Sequence, residues 1–142
     1  MKLGLVINPL AGIGGAVGLK GSDGREIVER ALDKGAMPRA QERALAALSR
    51  FRDFAPVPVF TAGGLMGRDV LDRAGIESEV VYSPASQITT ADDTRKAVYA
   101  LCEKSIDLLL FAGGDGTASD VLDALKQHGY DEKITVIGIA AG

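Results

Sequence analysis

Residues 106–117 run Ile-Asp-Leu-Leu-Leu-Phe-Ala-Gly-Gly-Asp-Gly-Thr, an apolar run that passes directly into a glycine-rich turn around one carboxylate. The apolar residues Ile106–Phe111 predict a buried strand, and the amphipathic segment Thr117–Gln127 predicts a helix. The turn would therefore lie at the carboxyl end of a sheet, where open α/β folds bind ligands. Its glycines let backbone N–H groups approach an anion closely. Asp115 is the one charge in the turn, which favours phosphoryl transfer, with Asp115 accepting a hydroxyl proton or organising Mg²⁺.

Short apolar runs alternate with amphipathic segments along the rest of the chain. This alternation predicts an α/β fold with a doubly wound, mainly parallel sheet of the Rossmann-like three-layer type. In the strand order 3-2-1-4-5, strands one and four are neighbours, so the loops that follow them would line one crevice. The predicted strands are Leu3–Ile7, Val57–Thr61, Glu79–Tyr82, Ile106–Phe111 and Ile134–Ile139, and the predicted helices are Arg25–Lys34, Pro38–Phe51, Leu65–Ala74, Ala91–Lys104 and Thr117–Gln127.

Composition and charge exclude several classes of protein. A length of 142 residues suits one domain, and a net charge of −3 provides no basic footprint for nucleic acid or an anionic membrane. The single cysteine, Cys102, excludes an internal disulfide and fits a reducing cytoplasm. Because Cys102 shares a helical face with Val98 and Leu101, we expect a buried thiol rather than a nucleophile.

A second glycine-rich loop, Asn8–Gly24, follows the first strand. Gly12-Ile13-Gly14 begins the dinucleotide-binding fingerprint, but Val17 stands where its third glycine belongs, and the second strand ends at Thr61 without a ribose-binding acid. The phosphate loop of P-loop enzymes is also excluded, because Lys20 is not followed by Ser or Thr. The nucleotide signal therefore comes from two unusual glycine loops that meet at one crevice.

The loop at Asn8-Pro9, the stretch Val17–Gly24 and the motif Gly113–Thr117 together resemble the ATP-NAD kinase superfamily, above all its acetoin-catabolism X-type branch. The resemblance covers nearly the whole chain and implies the fold of the NAD kinase N-terminal domain. It also implies a kinase that uses ATP and Mg²⁺ and phosphorylates a small hydroxyl compound such as NAD at its 2′-hydroxyl. By this likeness Asp115 is the catalytic carboxylate. The phosphate-binding or nucleotide-binding residues that it implies are Asn8, Gly12, Gly14, Gly15, Lys20, Gly113, Gly114, Gly116 and Thr117.

Kinases of this type continue into a β-rich second domain, so we expect residues 1–142 to be one nucleotide-binding domain at the N-terminal end of a longer protein. Two other functions fit the same motifs. One is a nucleotide-binding or self-associating module without catalysis, and the other is a kinase for a lipid or another small alcohol. An uncovered sheet edge would favour a homodimer.

Several polar residues have simpler structural interpretations. Asp115 could cap the helix that follows it, and Asp23 is better explained as a helix cap than as a Mg²⁺ ligand. Asp92 and Asp93 would be first-turn charges of a helix capped by Thr90 or Thr89, where the helix dipole favours them. His128 would lie at a helix C-terminus.

Overall fold

The computed structural model describes residues 1–11, 29, 30, 33, 39–51 and 56–141. Within these residues, five parallel strands form one sheet in the order β3-β2-β1-β4-β5, as predicted. The strands are β1 (Leu3–Ile7), β2 (Val59–Ala62), β3 (Glu79–Tyr82), β4 (Leu108–Gly113) and β5 (Thr135–Ala140), and the helices are α1 (Arg39–Phe51), α2 (Arg68–Arg73), α3 (Ala91–Glu103) and α4 (Asp115–Gln127), with a 3₁₀ turn at Gly64–Met66.

Strand β1 lies at the centre of the sheet and is buried along its whole length. Its neighbouring side chains alternate between two cores, because Leu5 packs with α1 and α2 whereas Val6 packs with α3 and α4. A strand covered on both faces needs a continuous apolar sequence, which the run Leu3–Ile7 supplies. Helices on both faces confirm the predicted three-layer architecture.

The helix predicted over Leu65–Ala74 is interrupted in the structure. The 3₁₀ turn ends at Met66, and α2 begins at Arg68. Gly67 joins them with a φ of 157°, and a Cβ at this position would collide with the hydroxyl of Thr61. That hydroxyl in turn donates to the carbonyl of Leu5 at 2.9 Å. The break therefore follows from a tertiary contact that helical periodicity does not contain.

Helix α3 begins as the sequence predicted. Thr90 is its N-cap: the backbone N–H of Asp93 donates to the Thr90 hydroxyl, and the Thr90 N–H donates to the Asp93 carboxylate at 2.9 Å. This is a capping box. The Tyr82 hydroxyl also donates to Asp93, at 2.6 Å, which ties the end of β3 to the start of α3. Asp92 pairs with Lys96 at 3.0 Å on the exposed side of the same turn.

Strand β5 is one edge of the sheet. Its Ile137 side chain is 48% exposed, and the strand pairs only on its β4 side among the described residues. The homodimer expected from an open edge stays a prediction. In the part of the chain that the structure describes, no helix has both the length and the apolar character that a membrane span requires.

Candidate active site

The passage from β4 to α4 takes a single residue. Strand β4 continues to Gly113, which pairs with Ala140 of β5, and α4 begins at Asp115 with Gly114 as its N-cap. The strand thus ends two residues later, and the helix begins two residues earlier, than the sequence predicted. Asp115 therefore lies in the first turn of a helix, at the carboxyl edge of the sheet.

Among the residues that the structure describes, no side chain caps the N-terminus of α4. The first helical hydrogen bond runs from the Ala118 N–H to the Gly114 carbonyl, at 3.0 Å. The N–H groups of residues 115–117 precede it and have no partner within the helix, and their dipoles add to those of the whole helix. Such an end binds anions. The alternative in which Asp115 caps the helix is wrong, since Gly114 holds that position.

Two glycines of the motif lack side chains for different reasons. A Cβ at Gly113 would lie 2.5 Å from Cβ and 2.7 Å from Cγ2 of Thr117, so close packing within the protein requires this glycine. A Cβ at Gly116 would meet nothing within 4 Å. Glycine within a helix costs about 1 kcal/mol relative to alanine, and no described neighbour of Gly116 compensates for it. The open space beside Gly116 is suited to an approaching ligand.

Asn8 joins the first glycine loop to the motif. Its side-chain Nδ2 donates to the Thr117 hydroxyl at 2.9 Å, and its Oδ1 accepts from the Leu10 N–H at 3.1 Å. Its backbone N–H donates to the Ala112 carbonyl at 2.9 Å, which extends the pairing of β1 with β4. Thr117 is only 3% exposed. In this structure the two side chains thus brace the loops against each other, and nucleotide contact by either side chain remains a prediction.

A groove of about 540 Å³ opens beside the motif. Phe111 lines it opposite Gly138, where a Cβ would come within 2.8 Å of the phenyl ring. Asp115 is exposed and is the only acidic residue among the described residues that line the groove. The groove is lined by Phe111, Gly113, Gly114, Asp115, Ala118, Gly138, Ile139 and Ala140. The open helix end and the one carboxylate thus share the mouth of a single groove.

Comparison of the sequence with protein-family models gives a match over almost the whole chain. The sequence model described as the ATP-NAD kinase N-terminal domain matches residues 3–142. The chain belongs to the ATP-NAD kinase family. Comparisons with curated proteins and with solved structures found no significant match.

ATP-NAD kinases use ATP with a divalent cation. The residues of the site can therefore be compared with the ligands that such a cation requires. Magnesium at a nucleotide site is held by one or two carboxylates together with substrate phosphates and water. Asp115 supplies one such carboxylate beside the open helix end. Among the described residues no three acidic, histidine or cysteine side chains form a metal cluster. The residues present therefore fit a nucleotide-bound Mg²⁺ and do not form an all-protein cage.

Four of the ten site residues that were predicted by likeness to ATP-NAD kinases lie outside the described residues. The structure brings Asn8 of the first loop together with the motif at Gly113–Thr117. Nucleotide binding by Gly12, Gly14, Gly15 and Lys20, and the helix cap at Asp23, fall on residues that the structure does not describe.

Sequence reasoning missed two features of this edge of the ATP-NAD kinase domain. Gln41 is 5% exposed, and its Nε2 donates to the Leu65 carbonyl at 2.8 Å, which fixes the turn after β2 to the start of α1. Gln41 lies three, four and seven residues before Ala44, Leu45 and Leu48, so it is a polar residue on the apolar face of the helix. This position is the signal in the sequence that could have indicated its role. The second feature is the contact between Gly138 and Phe111, which a glycine inside a strand pattern indicates.

Proposed function

We propose that the chain is the nucleotide-binding domain of an ATP-dependent kinase that phosphorylates the 2′-hydroxyl of NAD. The observation that carries the proposal is the meeting of the uncapped N-terminus of α4 with Asp115 at the mouth of one groove. Three unpaired N–H groups favour phosphate oxygens, and the carboxylate can accept a proton from a hydroxyl. The acceptor would lie along the groove beside Phe111. Because Cys102 is a free thiol, the cytoplasm is the compartment we propose.

The proposed reaction is an in-line displacement at phosphorus. The acceptor hydroxyl gives its proton to the Asp115 carboxylate, and the oxygen forms a bond to the γ-phosphorus. The bond from that phosphorus to the β–γ bridging oxygen breaks, and its electron pair leaves with ADP. Mg²⁺, when bound with the phosphates, would supply positive charge that offsets the charge developing on the leaving group. The N–H groups of residues 115–117 hold phosphate oxygens in place throughout.

The first test replaces Asp115 with asparagine. Asp115→Asn keeps the size of the side chain but removes the proton acceptor, so kcat for ATP-dependent phosphorylation of NAD should fall by about 10² to 10⁴. The KM for ATP should change much less than kcat, because the N–H groups that hold the phosphates are unchanged. The matched control is Asp123→Asn, at an exposed carboxylate of the same helix, which should leave both constants unchanged.

Other results would support other functions. If the wild-type chain binds ATP without phosphorylating NAD, a lipid or another small alcohol, it is a non-catalytic nucleotide-binding module. If it phosphorylates a different alcohol, the kinase assignment holds and the acceptor is wrong. If ATP, ADP and NAD at millimolar concentrations leave the melting temperature unchanged, the nucleotide proposal fails for this chain.

A further inference from the structure

A second groove opens at the carboxyl edge of the sheet, on the far side of β1 from Asp115. It lies between the turn after β2, residues 63–66, and the loop after β3, residues 83–89, and its volume is about 280 Å³. The Gly63 N–H donates to the Tyr82 carbonyl at 2.8 Å, which holds the two segments together. We propose that this groove, the β2–β3 groove, binds the uncharged base and ribose of the nucleotide donor. The inference rests on the proposed function for the position of the phosphates.

The lining of the β2–β3 groove has the chemistry of a site for a neutral, polar group. No described lining residue carries a charge, and hydroxyls, an amide and apolar surfaces alternate around it. An uncharged wall would not favour phosphates, but it suits a heterocycle and a sugar, which present faces for packing and edges for hydrogen bonds. The lining residues are Gly63, Gly64, Leu65, Met66, Ser83, Pro84, Ala85, Ser86, Gln87 and Thr89.

One buried side chain in this lining lacks a partner. Thr89 is 8% exposed, and its hydroxyl makes no hydrogen bond to any residue that the structure describes. The hydroxyl oxygen itself remains accessible to solvent, so it can bond to water or to a ligand. Because Thr89 lines the groove, a ligand hydroxyl or ring nitrogen there could satisfy it.

Rigid segments frame the opening on both sides. Gln41 holds the Leu65 carbonyl at 2.8 Å, and a Cβ at Gly63 would come within 2.9 Å of the Ser83 hydroxyl, so the two walls approach closely. The bond of 2.6 Å from Tyr82 to Asp93 anchors both ends of the loop at residues 83–89. A site formed in advance loses less entropy on binding than one that must be ordered by its ligand.

The spacing of the strands connects this groove with the open helix end. Adjacent strands lie about 4.8 Å apart, so a point above the gap between β3 and β2 is roughly 12 Å from the end of β4. A nucleoside triphosphate whose terminal phosphate rests on α4 reaches that far when extended. The donor would then run across the end of β1, and the acceptor would enter from the opposite side, beside Phe111.

The test fills the groove from an exposed position. Ala85→Trp should weaken binding of adenosine and of a non-hydrolysable ATP analogue by about tenfold or more in calorimetry, and it should leave tripolyphosphate binding unchanged. The control, Ala46→Trp, makes the same exchange on the exposed side of α1 and should change none of these affinities. A second variant, Thr89→Val, keeps the side-chain shape and removes the hydroxyl, so the loss of adenosine affinity should be roughly fivefold.

The two proposals fail in different ways. If tripolyphosphate binds but Ala85→Trp leaves the affinities for adenosine and the ATP analogue unchanged, the groove assignment is overturned and the kinase proposal stands. If adenosine binding depends on Ala85 while tripolyphosphate does not bind, the phosphate site at α4 is wrong. If Ala85→Trp weakens NAD binding but not binding of the ATP analogue, the groove holds the acceptor, and its assignment to the donor is overturned.

Discussion

Gly113 and Gly116 stand three residues apart, yet the structure gives them opposite roles. Gly113 leaves room for Thr117, whose hydroxyl accepts the hydrogen bond from Asn8, so its missing side chain serves the internal packing of the turn. At Gly116, no described atom would lie within 4 Å of an added Cβ, so no internal contact requires this glycine. The two positions should therefore respond in opposite directions to the same substitution.

Gly113→Ala should lower the free energy of unfolding by about 1–3 kcal/mol, because the added methyl group overpacks a buried threonine. Gly116→Ala should raise it by about 0.5–1 kcal/mol, since alanine favours the helix, and should weaken ATP binding by placing a methyl group beside the open N–H groups. Chemical denaturation and calorimetry measure both effects. If Gly116→Ala binds ATP as tightly as the wild type does, ATP does not contact this part of the helix.

The Asp115 position shows what the sequence could and could not predict at the scale of a residue. A catalytic role for Asp115 could be hypothesised, because a single carboxylate between glycines after an apolar run has few structural uses, and that role stays a prediction. The side-chain contacts within the motif could not be predicted. Asn8 and Thr117 are 109 residues apart, and the hydrogen bond between their side chains depends on the pairing of β1 with β4.

At the scale of elements, the end of β4 was predicted too early because glycine has a low strand propensity. Gly113 pairs with Ala140 of β5, and the Ala141 N–H donates to the Gly113 carbonyl at 3.1 Å. These contacts continue the strand into the glycine-rich turn. Strand order was predictable, since parallel strands joined by helices allow few arrangements. The exact ends of the strands were not predictable, because they depend on pairing with the neighbouring strands.

The junction of β3 with α3 should be sensitive to pH through the bond between Tyr82 and Asp93. This hydrogen bond is the main cause that raises the pKa of Tyr82 to about 12. Partial burial by itself would raise the pKa of Asp93, but hydrogen bonds from Tyr82 and Thr90 outweigh it and lower that pKa below its ordinary 3.8. The bond therefore stabilises the fold fully between about pH 4 and pH 10, and its effect declines as the pH falls through the lowered pKa of Asp93 or rises toward about 12.

Tyr82→Phe should lower the free energy of unfolding near neutral pH by about 1 kcal/mol, a modest value because both groups are partly exposed. The difference from wild type should shrink as the pH falls below about 4, because Asp93 becomes protonated first in the unfolded state and then, below its lowered pKa, in the folded state as well. Denaturant-induced unfolding of the variant and the wild type across this pH range measures the difference in their free energies of unfolding. Tyr130→Phe is the control, since the Tyr130 hydroxyl makes no hydrogen bond to a described residue. An equal loss in both variants would show that packing, not this bond, stabilises the junction.

At the scale of the molecule, Cys102 reports on the integrity of the fold. It is 2% exposed in the core beneath α3, and burial raises the pKa of its thiol from the ordinary 9.0 to about 11. The buried thiol that the sequence indicated is confirmed. His128 lies at the end of α4, as expected, and its ring packs against that of Tyr99 with centroids 4.0 Å apart and the ring planes tilted by 38°.

Labelling of Cys102 by a disulfide reagent near neutral pH should be at least about a hundredfold slower in the folded protein than in denaturant, because the thiolate is scarce and covered. As this is the single thiol of the chain, the rate should follow global unfolding. Rapid labelling under native conditions would mean that α3 separates from the sheet far below the global unfolding energy.

The hydrogen bond from Asn8 to Thr117 also has a consequence for how the chain acquires its native form. During synthesis β1 leaves the ribosome more than a hundred residues before the strand and helix that complete its carboxyl end. Parallel pairings over such sequence distances have high contact order and form slowly. The proposed anion site at α4 would therefore be braced by Asn8 only after β1 and β4 pair, and capture of a phosphate-bearing ligand by a nascent chain is expected only once the sheet has closed around β1.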